Sequence, residues 1–383
     1  MTDAETDREK IVSKLPPQLH RTLKVRAAEL ETDMQDAVEA GIRLWLAHTG
    51  PIEEIDTSGA SSFSTWLPPD LHDEFRATCP EREVSLIQGL VQSIQLWLNQ
   101  NASTESDDPK KIVRRIIVCN QKGGVGKTTI TAGIASVLAT RGRRVLIVDY
   151  DAQGHLSNQL GIPHIKSGDD SLARYMSGES KGDIFELVVT LEGDQYDDRL
   201  NILPAGLDGF LLDAKLATTR ARENALERAL RPLELDYDYI VVDCPPSLGL
   251  ATDAGIYYGR RRDGEPANAS GILIPVEAED SSQDAYGLLT NQIDALIDDL
   301  DIDIDYLGLV VNKYDARKGI IFTSTLKAWQ SLEEPPVVAI VHELKEQREA
   351  VRMRTPLISY APGSDQAKSI EEIVDNLEKR VGN

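Results

Sequence analysis

Arg114-Arg115-Ile116-Ile117-Val118-Cys119-Asn120-Gln121-Lys122-Gly123-Gly124-Val125-Gly126-Lys127-Thr128-Thr129 is the stretch on which the fold turns. A short apolar run enters a glycine-rich turn, and an Ala/Ile/Leu-rich helical pattern leaves it. A second apolar run, Val145-Leu146-Ile147-Val148, then ends on Asp149-Tyr150-Asp151. Strand, glycine loop, helix, strand is the arrangement that a phosphate cradle needs. Loop amides and the helix N-terminus point at the anion, and only glycine lets the backbone approach so closely. Lys122 through Thr129 are the expected phosphate-binding residues. Lys127 reaches the β- and γ-phosphates, and the Thr128 hydroxyl ligates Mg²⁺.

The glycine spacing departs from the ordinary pattern. Gly-x4-Gly-Lys-Thr would need glycine at position 121, where Gln121 stands; the glycines are Gly123 and Gly124, with Lys122 before them. With this deviant Walker motif the chain resembles the ParA-type partition ATPases of the wider ParA/MinD group, over about residues 114–380. The resemblance implies ATP and Mg²⁺, and weak, partner-stimulated hydrolysis. It implies a homodimer closed around ATP, in which Lys122 reaches the partner's phosphates. It also implies DNA binding without sequence preference, release on hydrolysis, further assembly on DNA, a ParB-like activating partner and a cytoplasmic, nucleoid-associated protein.

Other motifs follow in order. Asp149 and Asp151 sit one residue apart at a strand's end, on the same side of the pleat. In the resembling family this is the Asp-x-Asp-Pro-Gln-Gly switch, which makes Asp151 the residue that orients the attacking water, with Lys122 and Lys127 as its catalytic companions. Asp149 would support the Mg²⁺ shell, and Ala152 in place of proline leaves the switch backbone looser. Tyr239-Ile240-Val241-Val242-Asp243 reads as a buried strand ending in the Walker B acid, so Asp243 would hold Mg²⁺ through water. Pro245-Pro246-Ser247-Leu248 also matches the family. Asn312, after Leu307 to Val311, lies where relatives recognise adenine. Lys345, Arg348 and Arg352 fall on one helical face. The family binds DNA with basic residues there, while the interleaved Glu343, Glu346 and Glu349 equally fit a salt-bridged surface. Leu211 to Leu230 reads as an amphipathic helix for packing or dimerisation, and Arg260-Arg261-Arg262-Asp263-Gly264 as a solvated loop, with a phosphate-backbone contact as the alternative. Alternating apolar strands and helices predict an α/β fold: a doubly wound, mostly parallel sheet of the P-loop NTPase type, with the ligand at the strands' carboxyl ends.

The N-terminal third is a repeat. Residues 11–46 and 63–98 align without gaps at an offset of 52. Leu15-Pro16-Pro17 matches Leu67-Pro68-Pro69, and Leu44-Trp45-Leu46 matches Leu96-Trp97-Leu98. Each copy starts extended, has prolines where a first helical turn tolerates a missing N–H, and continues into two helices. Thr32 or Asp33 is the expected cap of the second, with Met34, Val38, Ile42 and Trp45 on one stripe. One copy is too small to close a core. The unit resembles the ribbon-helix-helix fold, in which paired strands enter the major groove. Val12 and Lys14 of the first copy, with Ser64 and Trp66 of the second, are then the base-facing residues. Two readings stand: sequence-specific DNA binding, implying autorepression, or a unit kept only for dimerisation. The domains are thus residues 1–50 and 51–100 for the repeats, a linker over 101–113, and the ATPase over 114–383.

Composition bounds the rest. A chain of 383 residues with 41% hydrophobic content has no apolar run near the ~20 residues of a membrane span. The net charge of −22 confines any DNA contact to local basic patches and makes it salt-sensitive. Cys79, Cys119 and Cys244 share no metal-binding spacing, and Met1 to Lys10 has no apolar signal core. A membrane-bound Min-type regulator would need a basic amphipathic C-terminus, but Glu371, Glu372, Asp375 and Glu378 make it acidic; no membrane partner is expected. The alternatives are a nucleotide-switched transcriptional repressor and a positioning ATPase for a protein cargo.

Overall fold

The computed structural model describes residues 8–382 apart from 31, 51, 53, 54, 58, 102–111 and 181. They fall into two compact units divided between Lys110 and Lys111. Most of the expected linker lies outside the described residues.

In the first unit, β1 (Glu9–Leu15), α1 (Pro17–Glu29) and α2 (Met34–Ala47) are followed by β2 (Ser61–Leu67), α3 (Pro69–Glu81) and α4 (Leu86–Gln100). The two strands pair antiparallel, with Glu9 opposite Leu67 and Leu15 opposite Ser61. Equivalent residues of the two copies share one core: Leu15 with Leu67, Ile42 with Ile94 and Trp45 with Trp97 are all buried. α2 and α4 cross so closely at Gly41 that a Cβ there would lie 2.6 Å from the Ser93 carbonyl oxygen. The buried Trp45 indole N–H donates to Gln92 Oε1 at 3.0 Å, and the Arg82 guanidinium sits 4.3 Å over the Trp45 ring. The caps differ between copies. Asp33 precedes α2 without a side-chain cap bond, whereas Ser85, its equivalent, accepts from the Gln88 N–H at 3.1 Å.

The second unit contains β3 (Arg114–Val118), α5 (Lys127–Thr140), β4 (Val145–Asp149), α6 (His155–Gln159), α7 (Leu172–Met176), β5 (Val189–Thr190) and β6 (Leu200–Leu203). Next come α8 (Leu212–Leu216), α9 (Ala225–Leu230), β7 (Tyr239–Asp243), α10 (Leu250–Tyr258), β8 (Gly271–Glu277) and α11 (Asp280–Leu300). The chain ends with β9 (Tyr306–Tyr314), α12 (Ile320–Gln330), β10 (Val337–His342), α13 (Lys345–Arg352), α14 (Leu357–Tyr360) and α15 (Asp365–Arg380). The sheet order is β10-β9-β8-β3-β7-β4-β6-β5, parallel throughout except for β5 against β6. Strands β3, β4 and β7 are buried on both faces, as a sheet covered by helices requires. From β3 the chain builds outward first to β4 and later, through β8, to the other side. The crevice at the carboxyl end of β3 is therefore the topological switch point where such sheets bind ligands. α5 and α15 pack on one face, where a Cβ at Gly133 would meet Ile370 at 2.9 Å. Among the described residues, no helix is long and apolar enough to cross a membrane.

Two expectations fail. Leu211 to Leu230 is not one helix: α8 and α9 are separated by turns and by Ala221 at φ +47°, a left-handed conformation that interrupts helical hydrogen bonding. The arginine triplet is not solvated either. Arg260 pairs with Glu227, Arg262 pairs with Glu234 at 2.8 Å, and Arg261 reaches Asp303 at 3.3 Å. Nearby, the fully buried Arg115 meets Glu265 at 2.6 Å. These partners come from distant segments, so the cations are turned inward.

Candidate active site

The phosphate loop is held by side chains from β9 and by its own first residues. The Asn120 amide donates to the Pro275 carbonyl at 2.7 Å, and its oxygen accepts the Lys122 N–H at 3.0 Å. The buried Asn312 amide donates to the Val125 carbonyl at 2.7 Å, and Lys313 Nζ donates to the Gly124 carbonyl. Gly126, at φ +96°, leaves no room for a side chain, since a Cβ there would lie 2.0 Å from Asn312 Nδ2. Asn312 thus props the loop.

Two acids stand at strand ends beside the loop. Asp149 and Asp243 end adjacent strands and stand in register. The Ser157 N–H and hydroxyl donate to Asp149 Oδ2 at 2.7 and 2.6 Å, while Asp149 Oδ1 and Asp243 Oδ1 are buried without a hydrogen-bond partner. Burial pushes the Asp149 carboxyl up to about 6, against the pull of Ser157. Burial, with Asp149 beside it, pushes Asp243 up to about 8, although the Thr128 hydroxyl and Lys127 act the other way. Burial likewise lowers Lys127, opposed chiefly by Asp243. Bare, mutually repelling carboxylate oxygens beside a phosphate loop fit a hard divalent cation, which takes oxygen ligands and reverses the local pKa logic. Thr128, Asp149 and Asp243 are therefore a suitable donor set for Mg²⁺.

The switch following β4 is a tight turn. Asp151 Oδ1 accepts the Gln153 N–H at 3.0 Å, and the Asp151 carbonyl accepts the Gly154 N–H at 2.8 Å. His164 Nε2 lies 3.1 Å from the Gly154 carbonyl oxygen, and its ring occupies the space a Cβ on Gly154 would need. Ala152 faces Gly209, where an added Cβ would come within 2.9 Å of its own.

Lys122 is neither free nor in solvent. Its Nζ lies 3.0 Å from Glu277 and 3.2 Å from Glu279, and donates to Ser281 Oγ at 2.9 Å and Ser282 Oγ at 3.2 Å. Glu277 also takes Lys313 at 3.1 Å. His164, Ser157, Lys313 and the Glu277–Ser282 cradle were not singled out by sequence. The only signal available was position, immediately after a strand or beside a motif.

Two further groups of expected residues are exposed at the surface. Lys345, Arg348 and Arg352 are exposed on α13, where Arg348 pairs with Glu343, itself 2.8 Å from Lys318. In the first unit, Val12, Lys14, Ser64 and Trp66 are exposed together on the outward face of the ribbon.

A family model described as AAA domain matches residues 113–306, just over half of the chain. An uncharacterised protein of Mycobacterium tuberculosis is 36% identical over 216 residues, covering 56% of this chain and 62% of that protein. The chain thus spans less than two thirds of that relative's length. The chromosome partitioning protein ParA of Myxococcus xanthus is 36% identical over 207 residues, covering 54% of this chain and 67% of that protein. Among solved structures, cobyrinic acid a,c-diamide synthase from Mycobacterium smegmatis, with bound ATP analog and magnesium, is 29% identical with a TM-score of 0.55. That match covers 70% of this chain and 95% of the other.

Proposed function

The chain belongs to the ParA-type partition ATPases, and we propose that it hydrolyses ATP with Mg²⁺ to time its hold on DNA. One observation carries the reading: Asp149 Oδ1 and Asp243 Oδ1 are buried without partners at adjacent strand ends, beside Lys127. Leaving two such acceptors bare costs about 1–3 kcal/mol each or more, which a bound cation recovers.

In this reading the amides of Gly123 to Thr129 and Lys127 bind the phosphates. Thr128, Asp149 and Asp243 hold Mg²⁺, which neutralises charge on the phosphate oxygens. Asp151, already fixed by the Gln153 N–H, orients the water in line with the γ-phosphate. Lys122 leaves Glu277 and Glu279 and crosses to the partner's phosphates when two copies close on ATP. The dimer then holds DNA without sequence preference through Lys345, Arg348 and Arg352, the exposed cations of α13, in a salt-sensitive contact for which Arg348 must leave Glu343. A ParB-like partner stimulates hydrolysis, and DNA is released. The first unit, read as a ribbon-helix-helix pseudo-dimer, adds sequence-specific binding through Val12, Lys14, Ser64 and Trp66, and with it autorepression. The protein acts in the cytoplasm, associated with the nucleoid.

The test is DNA binding and ATP turnover by the full chain and by Lys127→Ala, with ATP, ADP or no nucleotide. Wild type is expected to dimerise and bind random-sequence DNA only with ATP, and Lys127→Ala to do neither. DNA binding indifferent to nucleotide in both proteins would refute the cycle.

A further inference from the structure

The ribbon of the first unit has a local twofold axis that can be located. Val12 and Ser64 are equivalents in the repeat and also lie directly opposite one another, so the axis passes between them. The inward face of the ribbon respects that symmetry. Leu15 and Leu67 are equivalents and both are buried, Ile11 matches Phe63, and Ser13 matches Thr65, apolar against apolar and hydroxyl against hydroxyl.

The outward face breaks it at every position. Lys10 is matched by Ser62, Val12 by Ser64 and Lys14 by Trp66. Cross-strand pairing therefore gives the two ends different chemistry: Lys10 stands opposite Trp66, and Lys14 opposite Ser62. Val12 is 68% exposed and Trp66 48%, large apolar groups that packing does not require there. Among the described residues, Lys10 and Lys14 are exposed and form no ion pair, whereas the flanking Glu9 is engaged by His72 at 2.6 Å. The face thus offers uncommitted cations with apolar and hydroxyl groups between them.

We propose that this face reads a duplex DNA site that lacks dyad symmetry, one chain per site. The inference rests on the DNA-reading role given above to the first unit. A two-stranded ribbon fits the major groove, and the palindromy of a DNA site mirrors the symmetry of the protein that reads it. Lysine donates to guanine O6 and N7 and to phosphates. The Trp66 ring suits a thymine methyl group, and the serine hydroxyls accept either donor pattern. A thymine-methyl contact is then available at the Lys10–Trp66 end and not at the Lys14–Ser62 end. Because both strands come from one polypeptide, no second copy is needed to complete the reading surface.

The experiment is selection of binding sites by the full chain from a random duplex library at one fixed salt concentration, with stoichiometry measured on the winning sequence. A non-palindromic motif bound by one chain is expected. Trp66→Ala should lose about 10-fold in affinity for that motif, with the preference relaxed at one end only. A triple variant, Ser62→Lys, Ser64→Val and Trp66→Lys, changes exposed positions only and restores symmetry; it should select a palindrome. A palindromic motif from wild type, or an unchanged motif from the triple variant, overturns the asymmetry while leaving DNA reading intact. No enrichment of any sequence overturns both.

Discussion

The two units keep their functional groups in opposite states. In the ATPase unit the decisive atoms are buried, crowded and short of partners: Asp149 and Asp243 are pushed up to about 6 and 8, and each has a bare oxygen. In the repeat unit the side chains proposed to read DNA stand in solvent, and only a broken symmetry sets them apart. A buried site announces itself through the energy it costs the folded chain. An exposed reading face costs nothing and must be recognised by what packing fails to explain.

The sharpest way to break this contrast is at Lys127, where Lys127→Ala should lower ATP turnover by roughly 10²–10³-fold. Sequence-specific binding by the first unit should be unaffected. A steady-state phosphate-release assay beside the site-selection experiment checks both. Comparable in free energy are two stability changes, one in each unit. Trp45→Ala removes a buried indole from the shared core of the repeat and should cost about 3–5 kcal/mol, abolishing operator binding while turnover persists. Glu265→Ala strands the buried Arg115 and should cost about 3–5 kcal/mol in the ATPase unit, seen as a lowered unfolding midpoint in urea.

Smaller, and opposite in sign, is Asp243→Asn. A carboxyl raised when folded costs stability once ionised, so the cost grows as pH rises from about 4 and is full above about 8. In EDTA above pH 8 the variant should therefore melt higher by a few degrees (~2–4 °C per kcal/mol relieved). It should also lose the rise that Mg-ATP gives wild type. The smallest effect is Arg352→Ala, which should weaken ATP-dependent DNA binding uniformly across sequences and reduce the salt slope by about one.

What the sequence made legible follows the same division. The position of the loop after β3, and of Asp149 and Asp243 at strand ends, could be read because local spacing and apolar runs set it. The symmetry of the repeat was legible because buried positions such as Leu15 and Leu67 constrain each other. Long-range partners were not. The arginines at 260–262 looked solvated because Glu227, Glu234 and Asp303 are remote in the chain. The cradle of Lys122 is formed by Glu277 to Ser282, more than 150 residues away. Leu211 to Leu230 has a helical pattern, but Ala221 at φ +47° divides it. The contact of the Asn312 amide with the Val125 carbonyl likewise joins segments remote in the chain.

Glu277 grips two cations at once, Lys122 by one oxygen and Lys313 by the other, and Lys313 in turn holds the Gly124 carbonyl. Whatever draws Lys122 away leaves that carboxylate with a single counter-charge, so it pulls harder on Lys313. The departure of one side chain then reaches the loop backbone through side-chain contacts. If two copies close on ATP as proposed, that one acid ties their assembly to tension in the phosphate loop.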